Sequence, residues 1–245
     1  MNKFDETHGY LKFVQRENEL KVLRYLSEIE SPSNHTIYGV QFWPVQGGTV
    51  ISMPVAGGWL TSLDDPSDQL WSVAQQLVEG VAFMHEHNVA HMDLKPQNVI
   101  IPVAGGRLSI IDFSVSIRVP SQDATYNGVA GTENYIAPEI RKGNYKPMLA
   151  DLWSCGRTLE ELCGSCHPSA DRTTLLKIAN RLMNRDPEAR PKMSDVLEQM
   201  APTRRRGGNA APSTLPYVEV WFYFPLCLRL FCRCALAPSV PALRA

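Results

Sequence analysis

The chain has 245 residues, 44% of them apolar, and a formal net charge of −1. That is apolar material for one large domain or two small lobes, and too little charge for a nucleic-acid binder driven by phosphate attraction. All six cysteines lie beyond residue 150 and no apolar h-region follows Met1, so neither a disulfide framework nor a secretory leader is expected.

In chain order, "ENELKVLRYLSEI" at residues 17–29 puts Leu20, Leu23 and Ile29 near one helical face, and "SPSN" stops the helix. Residues 36–55 read as short strands split at "QGG", the second being "TVISMPV". Residues 67–88 carry the longest helical pattern, with Ser67 as N-cap and an apolar stripe from Leu70 to Met84. Two apolar runs, 99–101 and 109–111, flank "AGG" as a hairpin. Residues 114–148 are loop-rich, and helical patterns resume at 149–163, 171–184 and 193–200. A small helix-plus-strand segment followed by a mostly helical one predicts an α+β, two-lobed domain with a cleft.

From residue 201 the character changes. "APTRRRGGNAAPSTLP" reads as a linker, and the apolar stretch after it as a disordered extension. Its longest uncharged run, residues 220–228, is well short of the roughly 18 residues needed to span a bilayer, so a membrane span is not expected, and the alternative for the apolar tail at 217–236 is a membrane-surface or partner-binding segment.

The chemistry concentrates in "HMDLKPQNVII" and "LSIIDF". Asp93, Asn98 and Asp112 offer hard oxygen ligands suited to Mg²⁺, and Lys95 can offset the charge of a transferring phosphoryl group. A further carboxylate can accept a hydroxyl proton. A hairpin of runs 99–101 and 109–111 brings Asn98 and Asp112 to the same end.

"HMDLKPQNV" resembles the catalytic loop of eukaryotic protein kinases, and "IIDFS" resembles their metal-binding segment. "GTENYIAPEI" looks like the end of an activation segment, "ADLWSCG" like the helix that follows, and "RDPEARPKMSDVL" like the closing Arg motif. The five motifs occur in the family's order, and the resemblance covers about residues 10 to 200. Lys95 two positions after Asp93, with Thr132, is the pattern of the serine/threonine kinases. The resemblance implies a domain over residues 1–200, with an N-terminal lobe to about 55 and a C-terminal lobe from about 56. It implies ATP and Mg²⁺ as cofactors, a protein substrate with a Ser or Thr acceptor, and an intracellular setting, cytoplasmic or nuclear. Asp93 and Lys95 would be catalytic, with Asp93 deprotonating the acceptor and Lys95 holding the γ-phosphate. Asn98 and Asp112 would hold the metal. Lys12 in "GYLKFVQ" would bind ATP with Glu19 as its helix partner, and Glu17 is the rival for that place. Met53 and Val55 would bond adenine through their backbones, with Ser52 controlling the back pocket. Asp151 would brace the catalytic loop, Glu139 and Arg190 would form a structural ion pair, and His91 and Phe113 would pack between the lobes.

Four departures stand out. No G-x-G-x-x-G lies ahead of Lys12, so the upper lobe reads as truncated. Met92 replaces the Arg of H-R-D, and Ser114 replaces the Gly of D-F-G. Too few residues separate the helices near Cys163 and Asp171 for the helix that the family usually carries there. The missing glycine loop supports an alternative, a pseudokinase acting as a protein-binding module. The complete Asp93, Lys95, Asn98 and Asp112 set supports the enzyme. His85 and His87 near a helix C-terminus read as favourable cations, without a site role.

Overall fold

The computed structural model describes residues 10–37, 39–53, 58–59, 66–101 and 106–201. These fall within one compact unit, residues 1–202. Val55 and the extension from 202 onward lie outside the described residues.

Strand β1 (Tyr10–Val14) runs straight into helix α1 (Glu17–Ser27). The helix places Glu17 and Glu19 in its first turn and Arg24 in its last, which suits the helix dipole. Its buried positions are Glu19, Val22, Leu23 and Leu26, an i, i+3, i+4, i+7 stripe. Strands β2 (Gln41–Val45) and β3 (Gly48–Met53) form a hairpin whose register closes at Val45 opposite Gly48. Gly47 supplies the positive φ of that two-residue turn, at 85°. The sheet order is β1-β3-β2, all antiparallel. Alternation along β1 turns Lys12 and Val14 to one face and Leu11 and Phe13 to the other, where they are exposed.

Strand β4 (Gly58–Trp59) pairs antiparallel with residues 100–101. A 3₁₀ turn at Ser67–Gln69 leads into α2 (Leu70–Glu86). Ser67 does not cap α2 as predicted, because the extra turn moves the N-cap to Gln69, and the Ser67 hydroxyl accepts instead from the His167 N–H at 2.9 Å. Ala74, Leu77, Val78, Val81 and Met84 of α2 are all fully buried, forming the axis of the larger lobe. Strand β5 (Val89–Ala90) pairs with β8 (Ile117–Arg118). Strands β6 (Val99–Ile101) and β7 (Ser109–Ile110) make the expected hairpin, with Val99 opposite Ile110. Helices α3 (Pro147–Gly164), α4 (Ala170–Leu182) and α5 (Met193–Met200) complete the lobe. Only residues 165–169 separate α3 from α4, as the sequence spacing predicts. The architecture is α+β, a small sheet-plus-helix part and a mostly helical part. Among the described residues, no helix is long and apolar enough to cross a membrane.

Arg190 pins the segment before α3 to the base of the lobe. Its guanidinium binds Glu139 bidentately at 2.5 and 2.8 Å, donates to the Leu149 carbonyl at 2.6 Å, and is fully buried. A buried guanidinium is tolerated only when its donors are met in this way.

Two core histidines are held neutral. Burial lowers the pKa of His35 despite its contacts to the Leu108 carbonyl and Glu79, and burial likewise lowers that of His91 despite nearby Asp151. As pH falls below about 6.5, the unfolded chain takes up protons at both more readily than the folded chain. Stability should therefore fall as pH drops from 7 toward 5, with a slope of at most ~1.4 kcal/mol per pH unit for each histidine. Denaturant titrations across this range check it, and His35→Asn should flatten the slope. An unchanged midpoint in wild type would contradict the assignment.

Candidate active site

The loop 91–98 joins β5 to β6, and its shape is dictated by one buried carboxylate. Asp151, fully buried in α3, accepts from the His91 N–H at 2.5 Å and the Met92 N–H at 2.7 Å. Those bonds turn Met92 into the left-handed region, at φ 67°, which costs a non-glycine residue roughly 1–2 kcal/mol. The Met92 side chain is buried beside Ala90, Val119, Ile140 and Met148, so an apolar contact occupies the place where the resemblance has an arginine. His91 is fully buried, donates from Nε2 to the Ile111 carbonyl at 3.0 Å, and packs edge-on against Phe113 at 4.9 Å between ring centroids. Both are packing residues, in keeping with the sequence.

After this turn Asp93 emerges beneath the segment 128–132. Its Oδ2 accepts from Lys95 Nζ at 2.8 Å and from Asn98 Nδ2 at 3.2 Å. Asn98 Nδ2 also donates to the Asp93 carbonyl at 2.8 Å. Lys95 Nζ donates in addition to Thr132 Oγ1 at 2.6 Å, which ties the loop to the later segment. Gly131 allows the close approach: a Cβ there would lie 2.6 Å from the Met92 carbonyl oxygen, and its φ is 101°. Asp93 Oδ1 is left over. Among the described residues it is the one buried side-chain oxygen or nitrogen with no hydrogen-bond partner.

Across the cleft, Lys12 Nζ binds Glu19 Oε1 at 2.6 Å and Asp112 Oδ1 at 2.8 Å. Glu19 is therefore the helix partner, while Glu17 pairs with exposed Lys21 at 2.9 Å. Burial alone would lower the Lys12 pKa, but Asp112 and Glu19 outweigh it and raise it. Burial would raise that of Asp112, yet Lys12 and the Ser114 amide hold it below the usual carboxylate range. Asp112 has φ 65°, a second left-handed non-glycine residue at this site. Arg16 and Asn18 at the start of α1 donate to the Ser114 and Ser116 carbonyls at 3.4 and 2.7 Å, which docks the helix on the segment after Asp112.

Lys12, Glu19, Met53, Asn98 and Asp112 line one cavity of about 190 Å³. Asp93 and Lys95 sit outside that lining, joined to it through Asn98. Ser52 does not face the cavity. The β3 alternation sends it to the outer side, opposite Leu11, while Ile51 and Met53 point inward. Sequence reading also passed over Ile37 and Ile111 in the lining, whose signal was only their place beside the charged residues. Thr132, read only as a type marker, is a direct partner of Lys95. Among the described residues, no group of three or more His, Cys, Asp or Glu side chains is placed to hold a metal ion. Asn98 and Asp112, facing one cavity, are the oxygen donors on offer there.

A two-lobed fold with an ion-paired lysine in the cleft and an Asp–Lys–Asn loop below it has the architecture of a protein kinase. The protein kinase domain family matches residues 65–201, more than half of the chain, and the chain belongs to that family. The CBL-interacting serine/threonine-protein kinase 5 of Arabidopsis thaliana is 34% identical over 240 residues, covering 91% of this chain and 51% of that protein. The serine/threonine-protein kinase 36 of Pongo abelii is 30% identical over 169 residues, covering 64% of this chain and 13% of that protein. The CBL-interacting protein kinase 8 of Oryza sativa subsp. japonica is 43% identical over 105 residues, covering 41% and 23%. The chain spans about half the length of the first relative and less of the others.

Lys12→Met would leave Glu19 charged and only 4% exposed. Because Lys12 itself is one-third exposed, the expected loss is about 2 kcal/mol, below the cost of breaking a fully buried pair. Adding Glu19→Leu should recover at least half of it. Denaturant midpoints of the single and double variants check this; a double variant no better than the single would contradict a buried, uncompensated Glu19.

Proposed function

We propose that the chain transfers the γ-phosphoryl group of ATP to serine or threonine hydroxyls of a protein substrate. The observation that carries this reading is the orphaned Asp93 Oδ1. A buried oxygen without a donor costs about 1–3 kcal/mol, so such an atom in a native fold calls for an explanation. An incoming hydroxyl group supplies the missing donor. Lys95 and Asn98 hold Oδ2 and so fix the carboxylate with Oδ1 free.

In this reading Asp93 orients the acceptor hydroxyl and accepts its proton as the oxygen attacks phosphorus. Lys95, already 2.8 Å from Asp93, neutralises charge on the phosphoryl oxygens. Thr132 keeps Lys95 at that distance from the other side. Lys12, positioned by Glu19, pairs with the nucleotide phosphates. Asn98 and Asp112 fit Mg²⁺: the Asn98 amide hydrogens are used on Asp93, which leaves its carbonyl oxygen, and Lys12 keeps Asp112 ionised. Asn98 and Asp112 would hold the ion, which would supply positive charge to offset that of the phosphoryl group. Met53 would flank the adenine, and Val55, outside the described residues, would bond it through its backbone.

The compartment we infer is intracellular, where ATP is abundant and the buried Cys155, Cys163 and Cys166 stay reduced. The domain is proposed to occupy residues 1–200, with 201–245 as an extension to it. The rival reading is a silent protein-binding module. It gives no reason to keep a buried carboxylate oxygen unpaired.

Asp93→Asn should lower phosphate transfer by ~10²–10⁴ while leaving nucleotide affinity and melting temperature near wild type. Transfer of labelled γ-phosphate to a generic protein substrate, run beside a nucleotide titration, tests it. Equal transfer by both proteins would remove Asp93 from the mechanism. Asp112→Asn should abolish the enhancement of nucleotide binding by Mg²⁺, and equal enhancement in both proteins would rule out Asp112 as a ligand.

A further inference from the structure

A second cavity is left unused by this mechanism. It holds about 370 Å³ between α2, the segment at 122–123 and the starts of α3 and α5, and it shares no lining residue with the cleft of Lys12 and Asp112. That volume falls within the ~300–1,000 Å³ of small-molecule sites. Its apolar lining comes from Ala82 of α2, from Met148, Leu149 and Leu152 of α3, and from Met193 of α5, all buried except Leu149, which is partly exposed. The two methionines make this lining adaptable, because an unbranched thioether chain repacks readily around a guest.

Charged groups from separate segments converge on the same cavity. Lys146 Nζ lies 3.0 Å from Asp123 Oδ1 and 3.0 Å from Glu188 Oε1. The segment carrying Asp123 is fixed beside Lys146 by a pair of backbone bonds, from the Tyr126 N–H to the Tyr145 carbonyl at 2.8 Å and from the Tyr145 N–H to the Tyr126 carbonyl at 2.9 Å. Two carboxylates thus share one ammonium, which leaves one negative charge uncompensated. Glu86 adds a second, and Lys192 offsets it. His85 also lines the cavity, with its Nε2 turned to Asp151 Oδ2 at 3.3 Å. The Asp123 and Glu188 side chains are 89% and 67% exposed, so a further cation reaches them from solvent without displacing Lys146. A void left by imperfect packing is apolar throughout. This one joins an apolar body to a polar end with a net negative charge.

We propose that this cavity is a binding site for a small amphipathic amine, with the apolar body among Met148, Leu152 and Met193 and the ammonium group between Asp123 and Glu188. The site stands apart from the phosphotransfer reading, and its test needs no activity.

The test uses the full chain with isotope-labelled methionine methyl groups, titrated in turn with phenylbutylamine, phenylbutanol and phenylbutyrate. The three probes share one apolar body and differ in charge. With the amine, the methyl signals of Met148 and Met193 should shift saturably, with Kd on the order of 1 mM for so small a ligand. Met53, in the other cleft, should stay in place. The amine should bind about fivefold tighter than the acid, as suits exposed charges, with the alcohol between them. Asp123→Asn combined with Glu188→Gln changes only exposed side chains and leaves Lys146 and Lys192 in excess over Glu86. In that variant the order of amine and acid should reverse. Ala82→Leu fills the cavity from α2 and should abolish the shifts, and Leu149→Trp stands in for it if that variant does not fold. Met148 and Met193 signals unmoved by tens of millimolar amine, roughly tenfold above the expected Kd, would overturn the proposal. So would amine and acid bound equally well by wild type, or binding that survives in the filled cavity.

Discussion

The arrangement of this site depends on a single carboxylate that never meets solvent. A buried carboxyl group is expensive unless its lone pairs are met, and Asp151 meets them with backbone amides of the loop it supports. That requirement forces Met92 into a left-handed turn, and the turn delivers Asp93 to the cleft. The strain at Met92 is offset by its packing among the apolar residues around β5 and β8. Loop, helix α3 and the segment ending at Glu139 therefore form one interdependent unit, closed at its base by Arg190.

The second unit is electrostatic. Lys12 stands between Glu19 and Asp112, so β1, α1 and the segment after β7 meet at one ammonium group. Moving Lys12 away would leave the buried Glu19 without its counter-charge. Arg16 and Asn18 add hydrogen bonds to backbone carbonyls along the same seam. The two units meet at Asn98, whose side-chain N–H groups donate to Asp93 while its backbone carbonyl accepts from the Ile111 N–H at 3.0 Å, one residue before Asp112.

Much of this was legible in the sequence because the chain encodes it locally. The β6–β7 hairpin follows from two apolar runs around "AGG", and it necessarily sets Asn98 near Asp112. The pairing of Lys12 with Glu19 was implied by the family resemblance, and Leu23 one turn later favoured Glu19 over Glu17. Ser52 was misplaced because strand parity was not applied from Ile51, whose burial fixes which face points inward. Ser67 was misread because a 3₁₀ turn and the start of an α-helix share the same capping signals. His85 carried no local signal at all: its partner lies 66 residues away, and only the packing of α2 on α3 brings them together. The orphaned Asp93 oxygen is likewise a tertiary fact, invisible until every neighbouring donor has been accounted for.

The central claim is that the cleft moves phosphate onto an aliphatic hydroxyl. The most direct measurement is the chemical identity of the product. The full chain is incubated with γ-labelled ATP, Mg²⁺ and a mixed protein substrate, and the labelled amino acids are separated after hydrolysis. The account predicts phosphoserine or phosphothreonine, and none of either when Mg²⁺ is chelated. Label confined to phosphotyrosine, or no protein-bound label at all under conditions where nucleotide is bound, would contradict it.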